Sequence, residues 1–171
     1  MSPEVEVRRS HRRTRTVSAY RKDGKVIVMI PARFTRAEET EWVDTMLGKL
    51  ARSEQRARRT DEQLMRRAHE LARDYLHGKV RPTSVRWVSN MSTRWGSCTV
   101  GDGTIRLSDR LQPMPAWVSD YVLLHELAHL IEPSHNARFW HWVDKYPKAE
   151  RAKGYLEGVA ATARLELDAC G

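Results

Sequence analysis

The sequence predicts an α+β protein: a small, mostly antiparallel sheet packed on one buried helix, preceded by a β-hairpin and two amphipathic helices. Three observations point there. An alternating stretch around Asp23-Gly24 reads as a hairpin. Two runs with apolar residues at helical spacing follow, one from Thr35 and one from about Thr60. Beyond Pro82, short β-rich segments lead into a helix that is apolar on nearly every side.

The elements follow in chain order. Arg15–Lys22 alternates, Asp23-Gly24 suits the positive-φ positions of a tight turn, and Lys25–Ile30 is rich in β-branched residues up to Pro31. Thr35 is an N-cap with Glu38 three residues on, and Trp42, Val43, Met46, Leu47 and Leu50 then form an apolar face. A second helix carries Leu64, Ala68, Leu71, Tyr75 and Leu76 on one face, with Gly78 as its stop. Lys79-Val80-Arg81-Pro82 is the best seam. It divides one expected domain of 1–171 into a hairpin-and-helix part (1–80) and a core part (81–171).

Within the core part, Val85–Ser89, Thr93–Cys98 and Thr104–Ser108 read as strands, with Gly101-Asp102-Gly103 as a turn. Pro113 and Pro115 introduce a helix from about Ala116 to Ile131, Pro115 suiting its first turn. Its polar residues are the unusual ones, because so apolar a helix belongs inside.

Those residues are His125, Glu126 and His129, in the run His125-Glu126-Leu127-Ala128-His129. Histidines four apart on a helix stand one above the other and can share a metal ion. Glu126 is rotated off that face, where it can accept a proton from a metal-activated water. Pro133 disfavours helix at Glu132, so the chain turns there and can bring His135 back as third ligand. Imidazole donors suit one Zn²⁺ per chain, with a position left open for water.

The histidine spacing is that of the metzincins, yet Glu132 stands where they have glycine. All six methionines lie at or before Met114, so no Met-turn follows. A glutamate from a later helix, Glu150 or Glu157, is the other way to complete such a site. His141 reads as a surface or supporting residue, and Cys98 as a fourth ligand only if the site were structural.

The combination of Met91-Ser92-Thr93-Arg94-Trp95-Gly96-Ser97-Cys98, His125-Glu126-Leu127-Ala128-His129-Leu130, and His135 with Phe139-Trp140 resembles the YgjP-like metallopeptidase family, a metal-dependent hydrolase group related to SprT-like and other zincin proteins. The likeness is strong over about residues 84–146 and looser before them. It implies a zincin-like core, zinc at the three histidines and Glu126 as the catalytic glutamate. It leaves the substrate open.

In such a site a strand beside the helix can pair with an extended substrate, and either Thr104–Ser108 or the Thr93–Cys98 segment is placed to do so. Arg94 could then bind an acidic or carbonyl group and Trp95 wall a pocket. The plainer alternative is that Trp95, Gly96 and Cys98 pack the sheet on the helix, Gly96 allowing close approach.

Charge sets the remaining bounds. The net charge is +8, and it is concentrated at the N-terminus. Residues 1–36 hold ten Lys and Arg against three Asp and Glu, and residues 111–171 hold six against eight. The run Arg8–Arg15 could touch nucleic acid or a nucleotide, or simply be a solvated face. The two distant cysteines, Cys98 and Cys170, the absence of an apolar leader and the lack of any membrane-length apolar stretch point to a cytoplasmic protein. A peptide or protein is the expected substrate. The alternatives are a metal-dependent phosphohydrolase acting on a nucleotide or similar compound, and a non-catalytic zinc-stabilised nucleic-acid-binding protein.

Overall fold

A computed structural model describes residues 4–169, with the side chains of Arg59 and of residues 164–169 left aside. Cys170 lies outside the described residues. The chain is mixed α+β and divides into two compact units, Met1–Arg59 and Thr60–Gly171.

In the first unit the expected hairpin forms. Strands β2 (Ser18–Lys22) and β3 (Lys25–Pro31) pair antiparallel, Lys22 opposite Lys25. Asp23 and Gly24 have φ of 52° and 79°, the backbone that a two-residue turn of this hand demands. A strand the sequence does not announce, β1 (Val5–Ser10), pairs parallel on the other side of β3, so β3 is central. Val26, Val28 and Ile30 on β3 are fully buried, beneath Val43, Met46, Leu47 and Leu50.

Those four residues lie on α1 (Arg36–Tyr75), which is a single helix where the sequence suggested two. The apolar period lapses between Leu50 and Leu64, but residues 51–60 contain neither glycine nor proline and are mostly good helix formers. Thr35 and Glu38 form the expected capping box. The Thr35 amide donates to Glu38 Oε2 at 2.7 Å, and the Glu38 amide donates to Thr35 Oγ1 at 3.2 Å. At the other end the Gly78 amide donates to the Ala72 carbonyl at 2.9 Å, with His77 and Gly78 both at positive φ, the signature of a Schellman stop.

The second unit begins inside α1. Leu64, Ala68, Leu71 and Leu76 join its core, so the Lys79–Pro82 seam falls within this unit. Its sheet has the order β4 (Ser84–Val88), β6 (Thr104–Ser108), β5 (Gly96–Thr99). This sheet is not mostly antiparallel: β4 runs parallel to β6 and β5 antiparallel to it. The turn after β5 reverses the chain, and β6 then takes the place beside β4, along β4's own direction. The expected strand at Thr93–Cys98 is shifted, since regular pairing starts at Gly96; Trp95 still accepts the Ser108 amide at 2.9 Å.

Helix α2 (Ala116–Ala128) crosses the core, with Val118, Val122, Leu123, Leu124 and Leu127 buried. It ends three residues before the expected Ile131. The amides of Leu130 and Ile131 donate to Leu127 and Ala128 in a tightened last turn, as Pro133 requires. Helices α3 (Ala137–Val143) and α4 (Ala149–Ala169) complete the unit. Among the described residues no helix is long and apolar enough to cross a membrane.

Candidate active site

His125 and Glu126 belong to the last turn of α2, and His129 is its C-cap. The i, i+4 spacing sets both imidazoles on one face. The tightened turn then leads the chain through Pro133 to His135, directly before Asn136, whose side chain caps α3 by accepting the Phe139 amide at 3.1 Å. The turn fixes the third histidine opposite the first two.

The three imidazoles meet. Each offers a nitrogen within 4.8 Å of the others. The Nε2 atoms of His125 and His135 are 3.0 Å apart, against about 3.3 Å for two nitrogens on one tetrahedral zinc at the usual Zn–N length. The Nδ1–H of His129 donates to the Glu132 carbonyl at 3.3 Å, which leaves its Nε2 bare for a metal and holds the ring in place. Burial drives the His125 pKa down to about 3, with its two histidine neighbours adding to the effect, and it lowers that of His129. Burial thus favours the neutral form of His125 and His129, and the three converging nitrogens are preassembled for a divalent cation.

Beneath it lies Phe139, fully buried, with ring centroids 4.8, 4.5 and 4.8 Å from His125, His129 and His135. Trp140 stacks on His135 at 5.7 Å, and Lys153 of α4 sits over the Trp140 ring at 4.8 Å. His135 is exposed and carried on a loop, so these rings restrain it where the backbone does not. The sequence gives these rings no role, although Phe139 at four residues past His135 was the available signal.

Glu126 is 7% exposed and lies outside the histidine cluster. Burial raises its carboxyl pKa to about 7, against a smaller opposing pull from Arg94. Its side chain rests on Gly96 of β5. A Cβ at that position would stand 2.8 Å from Glu126 Oε1, 2.9 Å from its Cγ and 3.0 Å from Leu107 Cδ2. The close approach expected of Gly96 is thus made to Glu126 itself. Gly96→Ala is expected to displace the carboxylate or the strand and to destabilise the chain by about 1–3 kcal/mol. Thermal denaturation checks this, and an unshifted midpoint would mean that the contact is relaxed freely.

A cavity of about 210 Å³ opens at His125 and Glu126, between Trp95 and Gly96 on one side and Tyr121 and Leu156 on the other. Trp95 is half-buried and forms its wall; Arg94 is exposed at the same segment. Cys98 is a free thiol whose pKa burial pushes up to about 11, with Glu126 adding to the shift, and it is not part of the metal-ligating cluster. Glu150 and Glu157 are exposed and also outside that cluster, Glu150 accepting from Lys153 at 3.0 Å. His141 is exposed, against Trp142.

The model of the YgjP-like metallopeptidase domain matches residues 77–158. A crystal structure described as the metallopeptidase zymogen of Pyrococcus abyssi abylysin is similar, with 28% identity and a TM-score of 0.47, covering 60% of this chain and 94% of that one. None of the curated proteins matches significantly. The matched segment spans the β4–β6 sheet, α2 with its histidines, α3 and the first turns of α4. Residues 77–158 are thus similar to the YgjP-like metallopeptidase family, and the histidine cluster within them can hold the divalent metal which that family implies.

Proposed function

We propose that the chain is a zinc-dependent peptidase with a zincin-like core, in which His125, His129 and His135 hold the metal and Glu126 is general base and acid. One observation carries the reading: three converging imidazoles beside a buried carboxyl whose pKa is raised to about 7. Zinc bound there supplies a Lewis acid that polarises a carbonyl and acidifies water. A carboxylate titrating near the working pH can take a proton from water and return it to the leaving amine. Its position off the ligand face leaves it free to do so.

The sheet supports a peptide as substrate. The Ser108–Trp95 hydrogen bond and the register make 95/108, 97/106 and 99/104 the bonded pairs. The peptide groups of Gly96 and Cys98 therefore face the outer edge of β5, which no described strand covers. Of the two segments expected to receive an extended substrate, Thr104–Ser108 is the central strand and is paired on both sides. Of those two, β5 is the one that a substrate backbone can extend.

The other readings draw less support. Arg8, Arg9, Arg21 and Lys25 of the basic N-terminal region are paired with Glu6, Glu39, Glu54 and Glu4, so part of the charge is neutralised within its own unit. Arg9 also donates to the carbonyls of Ala32 and Phe34. Arg9 thereby holds the sheet to the start of α1, and Arg21 reaches Glu54 further along the same helix, so these side chains have a structural use within the unit.

Metal content measured by plasma emission on wild type and His135→Ala, both prepared without chelator, tests the site. About one zinc per chain is expected in wild type, lost or weakened in the variant. Absence of any transition metal from wild type offered zinc would overturn the reading.

A further inference from the structure

We infer that Arg110, stacked on Trp95, makes a subsite selecting substrates with a carboxylate side chain close to the scissile bond. The inference rests on the peptidase reading. A second cavity, about 360 Å³, lies beside the catalytic one and shares Trp95 with it. Arg110 forms one wall; Ser92 and Thr93 form another, and Val159 and Ala160 of α4 close it. Trp95 immediately precedes Gly96, on which the Glu126 carboxyl rests. A substrate laid along β5 would bring a side chain near its reacting bond into this space.

The guanidinium is held ready. Its carbon lies 4.3 Å above the Trp95 ring. Its Nε–H donates to Ser108 Oγ and an Nη2–H to the Arg94 carbonyl, both at 3.2 Å. Ser108 is 1% exposed, so the anchor is part of the core. These bonds fix the planar fork and leave further N–H donors unspent. Among the described residues no carboxylate forms an ion pair with Arg110, or with Arg94, the residue before Trp95. Most other arginines that are held by side-chain contacts on this protein meet a carboxylate, as Arg67 meets Asp120 at 2.8 Å.

An oriented guanidinium over an apolar wall, with no carboxylate partner among the described residues, is complementary to a carboxylate with a short aliphatic stem. Small side chains at Ala160 and Ala163 leave the space for it. A neutral isostere would fill the same volume and forgo the charge-assisted bonds.

Two readouts separate this subsite from the peptidase reading. Peptide pairs differing only by Glu or Gln at each position flanking the cleaved bond are bound to the metal-loaded Glu126→Gln chain and followed by fluorescence anisotropy. The same pairs are turned over by wild type. At one position the Glu peptide is expected to bind about ten- to a hundredfold more tightly, the span of a hydrogen bond to a charged group. The preference should shrink with added salt. Arg110→Gln should bring the ratio close to one, while Arg110→Lys keeps part of it. Equal binding of every pair, or a preference that survives Arg110→Gln and vanishes in Arg94→Gln, would overturn the assignment. Selective binding without cleavage of any peptide by wild type would instead overturn the peptidase reading and leave an acidic-ligand site.

Discussion

Glu126→Gln is expected to keep the metal and lose about 10²–10⁴-fold in turnover, the range by which a positioned acid–base group accelerates proton transfer. The substitution is close to isosteric, so the contact with Gly96 and the fit under β5 persist; what disappears is the proton acceptor. Metal content and kcat, measured on one preparation, check both halves. Turnover retained in this variant would remove Glu126 from the chemistry even with the metal in place.

The same substitution has a signature in the metal-free chain. Burial raises the Glu126 carboxyl from 4.5 to about 7. The folded state therefore binds a proton that the unfolded state has released between those values, and stability falls as pH rises through that window. His125, lowered from 6.5 to about 3, acts in the opposite sense: stability falls as pH drops below 6.5. The His125 effect is common to both chains and cancels in their difference. In chelator, the Gln variant should gain on wild type by at most about 3 kcal/mol between pH 4.5 and 7, at 1.36 kcal/mol per unit. Denaturant titrations across that range read it, and parallel curves would show that burial costs the carboxylate nothing.

What could be read from the sequence depended on how local the signal was. The capping box at Thr35, the Asp23-Gly24 turn and the stop at Gly78 are each encoded within four residues, and each formed. The convergence of three histidines was legible for the same reason. Helical spacing fixes His125 and His129, and Pro133 dictates the turn that returns His135. β1 was missed although Val5-Glu6-Val7-Arg8 alternates as a half-buried strand does: the alternation spans only four residues, and the partner strand lies beyond β2. The joining of two apolar faces into one α1 was hidden by a stretch that has helix propensity without periodicity. Arg110 carries no signal at all. Its place beside Trp95 comes from the pairing of β5 with β6 and the short helical turn at Asp109–Leu111.

Phe139→Ala is expected to cost about 3–5 kcal/mol, since a fully buried ring is replaced by a cavity that the surrounding helices fill only in part. The loss should not be confined to stability. Phe139 touches all three imidazoles, and His135 is the exposed one, outside any helix. Removing the floor frees the rings to leave the geometry in which one cation meets three nitrogens. Supporting groups of this kind typically hold about 10–100-fold in metal affinity. Phe139→Leu separates the two contributions, because it restores most of the apolar volume without the flat face. Its stability should return most of the way toward wild type while its metal affinity, measured by competition with a chelator, stays reduced. If affinity recovers along with stability in Phe139→Leu, the ring acts only as core volume, and the order of the site comes from the α2 turn and the Asn136 cap alone.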